Sequence, residues 1–410
     1  MRKLSLLTRL SIEDMPSPCN LFNSRTIGLG LLLTLAGSAF GQEITDPASV
    51  SKNSFTWTQE EREFGFMHYD EIFNAREVPH GDHMRQLPPG DPIAAFSEGG
   101  EKEEELNSYI TEQEVAGLLI LQDGKIRLER YALGFDEASR WSSQSVAKSV
   151  TSTLVGVAIK DGYINSVDDL VTDYIPDLRG SGYDSVTIHQ LLTMTSGVRW
   201  YESFTDPNSD LFKYYNVPID SGMDQTVSYM RKLPSEAEPG TRWVYKTGET
   251  NLIGVLVSAA TGQTLSHYLS SKIWIPYGME QDASWIINQS GQELAGCCLQ
   301  MALRDFARYG QFVLEDGRIN GESVVPDGWF ETATHTQVNL WPGWGYGYQW
   351  WTLWDGTFKA LGIHGQMIHI DPSRELVIVV ASAWPEAESD SRRNAATSFM
   401  YTIAGVLDKE

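Results

Sequence analysis

Residues 142–162 read SSQSVAKSVTSTLVGVAIKDG, and this stretch limits the possible folds more than any other. Its apolar positions (Val146, Val150, Leu154, Val155, Val157, Ile159) fall almost all round a helix, as they do when a helix sits inside a protein. Ser145 and Lys148 stand one helical turn apart, close enough for their side chains to share a proton. A lysine carried inside loses hydration, which disfavours its charged form and moves its pKa toward neutrality, where it becomes a usable base. The bland alternative is a chance S-x-x-K whose lysine snorkels to solvent. So short a pattern does not choose between the two.

The surrounding pattern supplies a frame. "VAGLLILQDGKIRLERYALG" alternates about Asp123-Gly124 and predicts a hairpin. Residues 150 to about 310 read as helix and loop, with stops at Lys160-Asp161-Gly162 and at Gly197. "YGYQWWTLW", "FKALGIHGQMIHIDP" and "ELVIVVASAW" then return to period two and predict three strands. A last helix carries Ala396, Phe399, Met400, Ile403 and Val406 on one face. Strands at both ends and helices between them predict an α+β fold (an α/β sandwich). One antiparallel sheet is drawn from 105–140 and 340–408, flanked by helices, with an inserted helical subdomain at about 150–310. Residues 42–104, rich in Pro, Gly and charge, predict an extended arm over the body, and the run EKEEE is a solvated helix face.

At 410 residues, with 41% hydrophobic and 21% charged residues, the chain has the balance of an ordinary globular protein. Its net charge of −23 excludes nucleic acid as a partner class, since phosphate binding needs a basic surface. Arg25 precedes the apolar run TIGLGLLLTLAGSAFG, and Ala39 and Gly41 stand at −3 and −1 to a cut before Gln42. Residues 1–41 are therefore expected to be an export signal, and the protein periplasmic or secreted, with no stable membrane span after cleavage. The stretch ahead of Arg25 is long for such a signal, so an uncleaved anchor is the alternative. Cys19 leaves with the signal, and the adjacent Cys297 and Cys298 are expected not to bridge, because neighbouring cysteines pair only with strain. No histidine flanks them at ligand spacing, so neither a metal site nor any cofactor is predicted.

Three stretches line up with one chemistry: Ser145-Val146-Ala147-Lys148, "YKTGETNLIG" from Tyr245, and "GIHGQMIHIDP" near the C-terminus. In this order they resemble the serine β-lactamase and penicillin-binding superfamily, in its class C-like branch of DD-peptidases, carboxylesterases and nylon-oligomer (aminohexanoate-dimer) hydrolases. "HQLLTMTSGVRW" and "LRDFARYGQFVLEDG" are similar to two further segments of that branch, and "YGYQWW" and "GIHGQ" lean toward the nylon-oligomer-hydrolase-like group. The resemblance covers roughly residues 105–408 and implies a β-lactamase/transpeptidase-like sheet and an acyl-enzyme mechanism.

The resemblance implies that Ser145 is the acylated nucleophile and Lys148 its base, with Tyr245 sharing the proton and passing it to the leaving group. A neighbouring ammonium would then lower the phenol's pKa. The Ser145 and Ile363 N–H groups would form the oxyanion hole, with donors that each contribute about 3 kcal/mol. His364, Gly365 and Gln366 would line the same cleft wall. Residues 246–248 spell Lys-Thr-Gly, but they abut Tyr245 and run into a helix, so they belong to the tyrosine box, with Thr247 where many relatives carry Asn. The third box thus lacks its lysine, and a substrate carboxylate loses its usual partner. A small ester or neutral amide is the expected substrate.

Tyr201, after Trp200, occupies the place where nylon-oligomer hydrolases put a tyrosine on the substrate amide, with plain loop packing as the alternative. Trp341, Trp344 and Tyr346 are read as sheet-edge packing, with an aromatic cleft wall as the alternative, and His189 as structural. A DD-peptidase or β-lactamase of the same fold is the first rival. A non-catalytic binding protein is the second. The oligomeric state is not legible.

Overall fold

The computed structural model describes residues 44–410. The expected export signal at 1–41 and Cys19 lie outside them. The main sheet has eight strands: β1 (Val115–Gln122), β2 (Lys125–Tyr131), β3 (Val338–Trp341), β4 (Trp344–Tyr346), β5 (Trp351–Leu353), β6 (Phe358–Gly362), β7 (Gln366–Asp371) and β8 (Leu376–Ser382). They lie in the order β2-β1-β8-β7-β6-β5-β4-β3. Every neighbouring pair is antiparallel. The two ends of the chain meet at the β1–β8 pair, from Leu376 opposite Gln122 to Ser382 opposite Val115. The predicted hairpin turns at Asp123 (φ 52°) and Gly124 (φ 70°), the left-handed pair that a tight two-residue turn requires.

Among the described residues, six helices of more than eight residues accompany the sheet: α1 (Gln59–Met67), α2 (Glu103–Glu112), α3 (Ala147–Lys160), α4 (Thr247–Thr261), α5 (Leu303–Leu314) and α6 (Asp390–Leu407). Both sheet faces are buried, which is why β1 and β8 read as unbroken apolar runs. On one face Leu119, Leu121, Val377 and Val379 join a core with Val150 and Leu154 of α3, Leu252 and Leu256 of α4 and Phe306 of α5. On the other, Leu118, Ile120, Ile378 and Val380 meet Leu106 of α2 and Phe399, Met400 and Ile403 of α6. The fold class is the predicted one, a helix-flanked antiparallel sheet.

Three expectations change. "YGYQWWTLW" is not one strand: Gln349 takes φ 63° and breaks it into β4 and β5. Its amide then reaches into the helical core, accepting from Thr250 Oγ1 (2.7 Å) and donating to the Leu192 carbonyl (2.8 Å). "FKALGIHGQMIHIDP" is likewise two strands, β6 and β7, joined by a turn at Ile363–Gly365. Residues 44–100 are more than an arm laid over the body. Ala75–Val78 pairs with Ala283–Ile286 in a second, four-stranded sheet, and Trp57, Phe66, Tyr69 and Ile72 enter the main core.

Cys297 and Cys298 are joined in a disulfide, against expectation. The left-handed backbone of Cys298 (φ 69°) is the local conformation that accommodates the adjacent pair.

Candidate active site

From Trp141 to Ala158 every residue is buried except Ser145. The serine sits in a single turn, Gln144–Val146, that runs directly into α3. Gln144 holds φ 46°, a strained backbone for a residue with a side chain. It is fixed there by donating to Ser142 Oγ at 3.0 Å.

One turn further on, Lys148 is 2% exposed. Its Nζ donates to Ser145 Oγ (3.0 Å), Thr247 Oγ1 (3.1 Å) and the Gly296 carbonyl (2.5 Å). All three acceptors are neutral, so desolvation dominates and lowers the lysine's pKa from 10.5 to about 8, with the negative charge of Glu202 pulling the other way. The lysine does not snorkel to water.

Tyr245 completes the group, its ring stacked on Trp351 at 5.8 Å and facing the Lys148 ammonium at 5.0 Å from the ring centre. Its pKa moves the opposite way to expectation. Burial, with Glu202 in support, raises it above the ordinary value, and the Ser145 hydroxyl offsets only part of this. Tyr245 therefore stands as a neutral phenol that can donate a proton, and Lys148 is the group poised to accept one.

Glu202 was not legible in the sequence. Its Oε2 accepts from the Thr247 N–H (2.8 Å) and Trp200 Nε1 (2.6 Å), and its Oε1 accepts from the Thr247 hydroxyl. A carboxylate thus touches the lysine through one threonine rather than directly. The only available signal was an acid set among aromatics in "RWYESF", directly after the T-S-G turn. Lys246 faces away, donating to Ser196 Oγ (2.7 Å) and pairing with Glu249 at 3.3 Å in the core. The Lys-Thr-Gly at 246–248 is therefore not a cation at the serine.

The turn after β6 lies beside Ser145, with Ile363 lining the space around the serine. Gly365 takes φ 89°, and a Cβ there would come within 2.5 Å of the Trp384 ring. Gln366 holds the turn in place. Its Nε2 donates to the carbonyls of Ile363 (3.2 Å), His364 (3.1 Å) and Ser382 (2.7 Å), and its Oε1 accepts from Trp141 Nε1 (3.0 Å) and the Ser382 N–H (3.1 Å). His364 departs from expectation: its ring does not line the cleft. It is buried, bonded through Nδ1 to the Trp384 carbonyl at 2.6 Å and packed edge-on against Phe66. Burial lowers its pKa to about 4, so it is a neutral structural residue.

Ser145 lies where two cavities meet. The first, of about 430 Å³, holds Tyr245, Trp200, Tyr201, Glu202, Gly365 and Gln366. Trp341, Trp344 and Trp351 line it too, so the first two do more than pack the sheet edge, whereas Tyr346 is buried among aromatics as read. Tyr201 is half exposed at this wall. The second cavity, of about 420 Å³, is lined by Phe55 of the N-terminal region, Phe212, Tyr215, Thr247 and the Cys297–Cys298 pair. His189 sits outside both, edge-on to Tyr348.

The family described as Beta-lactamase matches residues 106–399. A 6-aminohexanoate-dimer hydrolase of Paenarthrobacter ureafaciens is 26% identical over 337 residues, covering 78% of this chain and 86% of that protein. Among solved structures, a Bacillus anthracis protein named for the same activity superposes with a TM-score of 0.75 at 24% identity, over 88% of this chain and 99% of that one. A penicillin-binding protein from Bacillus halodurans gives 0.59 at 18%, over 72% and 99%.

Proposed function

Since the chain belongs to the β-lactamase family and is a serine hydrolase, we propose that it cleaves an amide or ester through an acyl-enzyme on Ser145. The observation that carries this reading is a desolvated lysine 3.0 Å from the one water-reaching residue of a buried segment.

With a pKa of about 8, roughly a tenth of Lys148 is neutral at pH 7. Neutral Nζ takes the Ser145 proton as Oγ attacks the substrate carbonyl, and the carbonyl π pair becomes an oxyanion held by the Ser145 and Ile363 N–H groups. As the tetrahedral intermediate collapses, the bond to the nitrogen or alkoxy oxygen breaks. Tyr245 protonates the leaving group and is reprotonated from Lys148. Water then attacks the acyl ester, giving its proton to Lys148, and Ser145 recovers its hydrogen as the acid departs. Thr247, held by Glu202, keeps the lysine aimed.

The aromatic linings suit an acyl or alkyl chain, and the relative named for 6-aminohexanoate dimers favours an amide between linear units. The leader-like stretch before residue 42 supports export to the periplasm or the medium. The mechanism is tested by treating wild type and Ser145→Ala with an acylating probe and a short-chain nitrophenyl ester. Labelling and hydrolysis should vanish together in the variant, and a mass adduct that persists without Ser145 refutes the assignment.

A further inference from the structure

On β6, Lys359 is 1% exposed and still lines one end of the first cavity together with Thr397. A buried ammonium is ordinarily matched by a carboxylate. Lys359 has none within 4 Å among the described residues. Its Nζ makes one long hydrogen bond, to Thr397 Oγ1 (3.3 Å), and rests 5.6 Å from the centre of the Trp344 ring. Asp355, the acid whose charge acts on Lys359, is committed elsewhere, accepting from the Thr357 N–H and hydroxyl and from the Tyr401 hydroxyl. Opposite Lys359 across the strands, His369 is buried with Nδ1 unpartnered. Arg393 and Glu388 line the same end, but Arg393 already faces Asp390 (3.3 Å) and Glu388 (3.9 Å). The missing partner is therefore an anion at Lys359. The position lies four residues before Ile363, or about 13 Å along an extended chain.

We propose that this end of the cavity is a carboxylate subsite, in which Lys359 Nζ and the Thr397 hydroxyl receive an acid group borne by the substrate on a linear spacer from the scissile carbonyl. The inference rests on Ser145 being the reacting residue, and it replaces the neutral substrate that the lysine-free third box implied.

Two isomeric amides test it on the full chain carrying Ser145→Ala: N-hexanoyl-6-aminohexanoate and adipic acid mono-hexylamide, each against its methyl ester, titrated by calorimetry. At least one acid should bind about tenfold or more tighter than its ester, the scale of a charge-assisted hydrogen bond. Adding Lys359→Met should erase the difference. Thr397→Asp should erase it too by supplying the counter-ion internally, and should raise the melting temperature. Equal affinity of acid and ester, absence of binding by both acids, or a preference that survives Lys359→Met overturns the subsite. Hydrolysis of the two amides by wild type is scored separately: a binding preference without turnover sinks the catalytic reading and leaves the subsite standing, and turnover without preference does the reverse.

Discussion

Thr247 hands both of its donors to Glu202 while its hydroxyl oxygen accepts from Lys148. The carboxylate's charge holds the lysine's proton on more tightly than burial alone would allow. Glu202→Gln removes that charge, so the pKa of Lys148 should fall and the acid limb of kcat/KM should move to lower pH. A limb that stays in place, or moves up, contradicts this coupling.

On the proposed mechanism the reactive form is the neutral amine, so the wild-type limb itself should be centred near pH 8. Activity therefore rises as pH rises through that value. Lys148→Met should lower kcat/KM on a neutral ester by roughly 10³, within the range of a positioned general base, and should abolish this limb. A variant that keeps the wild-type pH profile excludes Lys148 as the base.

Gln366 ties down the turn that, on the proposed mechanism, carries the Ile363 N–H. Gln366→Leu removes the side-chain donor from the carbonyls of Ile363, His364 and Ser382, of which His364 keeps the Trp384 N–H (3.1 Å); a buried carbonyl left without a donor costs about 1–3 kcal/mol. Melting temperature should fall, and kcat should drop by one to two orders of magnitude, the scale of a misplaced oxyanion donor, with KM much less affected. Unchanged kcat with lowered stability would show that the turn does not position the reacting atoms.

Gly296 leaves no room for a methyl group. An added Cβ would lie 2.9 Å from both Thr247 Cγ2 and the Thr247 carbonyl. Gly296→Ala should displace the carbonyl that Lys148 donates to and slow acylation, measured as the single-turnover rate, with a smaller change in melting temperature.

Lys359 carries a stability signature as well. Burial lowers its pKa from 10.5 to about 8, so the folded protein holds this proton less tightly than the unfolded chain does. The charge costs stability below about pH 8, and the cost fades as pH rises toward 10.5. Lys359→Met should raise the melting temperature at pH 7, with the gain shrinking above pH 8. Calorimetric scans at pH 6, 7 and 9 check the trend.

The sheet was legible because it rests on local periodicity, as in the alternation about Asp123-Gly124; a serine and lysine one turn apart in an apolar run marked the Ser145–Lys148 pair, but only the further boxes in order separated it from a chance pattern. Tyr245 and Ile363 came from resemblance to known boxes. Glu202 and Lys359 were not legible, because a charged residue's role here depends on which neutral groups surround it, and those arrive from distant segments. The split of "YGYQWWTLW" turned on Gln349 leaving strand geometry to bond Thr250 and Leu192, a tertiary demand that overrode local pattern. The N-terminal region lacked period because its aromatics enter the core singly rather than along one element's face.

Ser145 borders two chambers, so on the proposed acyl-enzyme route each could seat one half of a substrate. The freed fragment would then vacate one room while the esterified fragment stays in the other. The emptied room would admit the water that finishes the cycle, and turnover would not require the tethered half to shift.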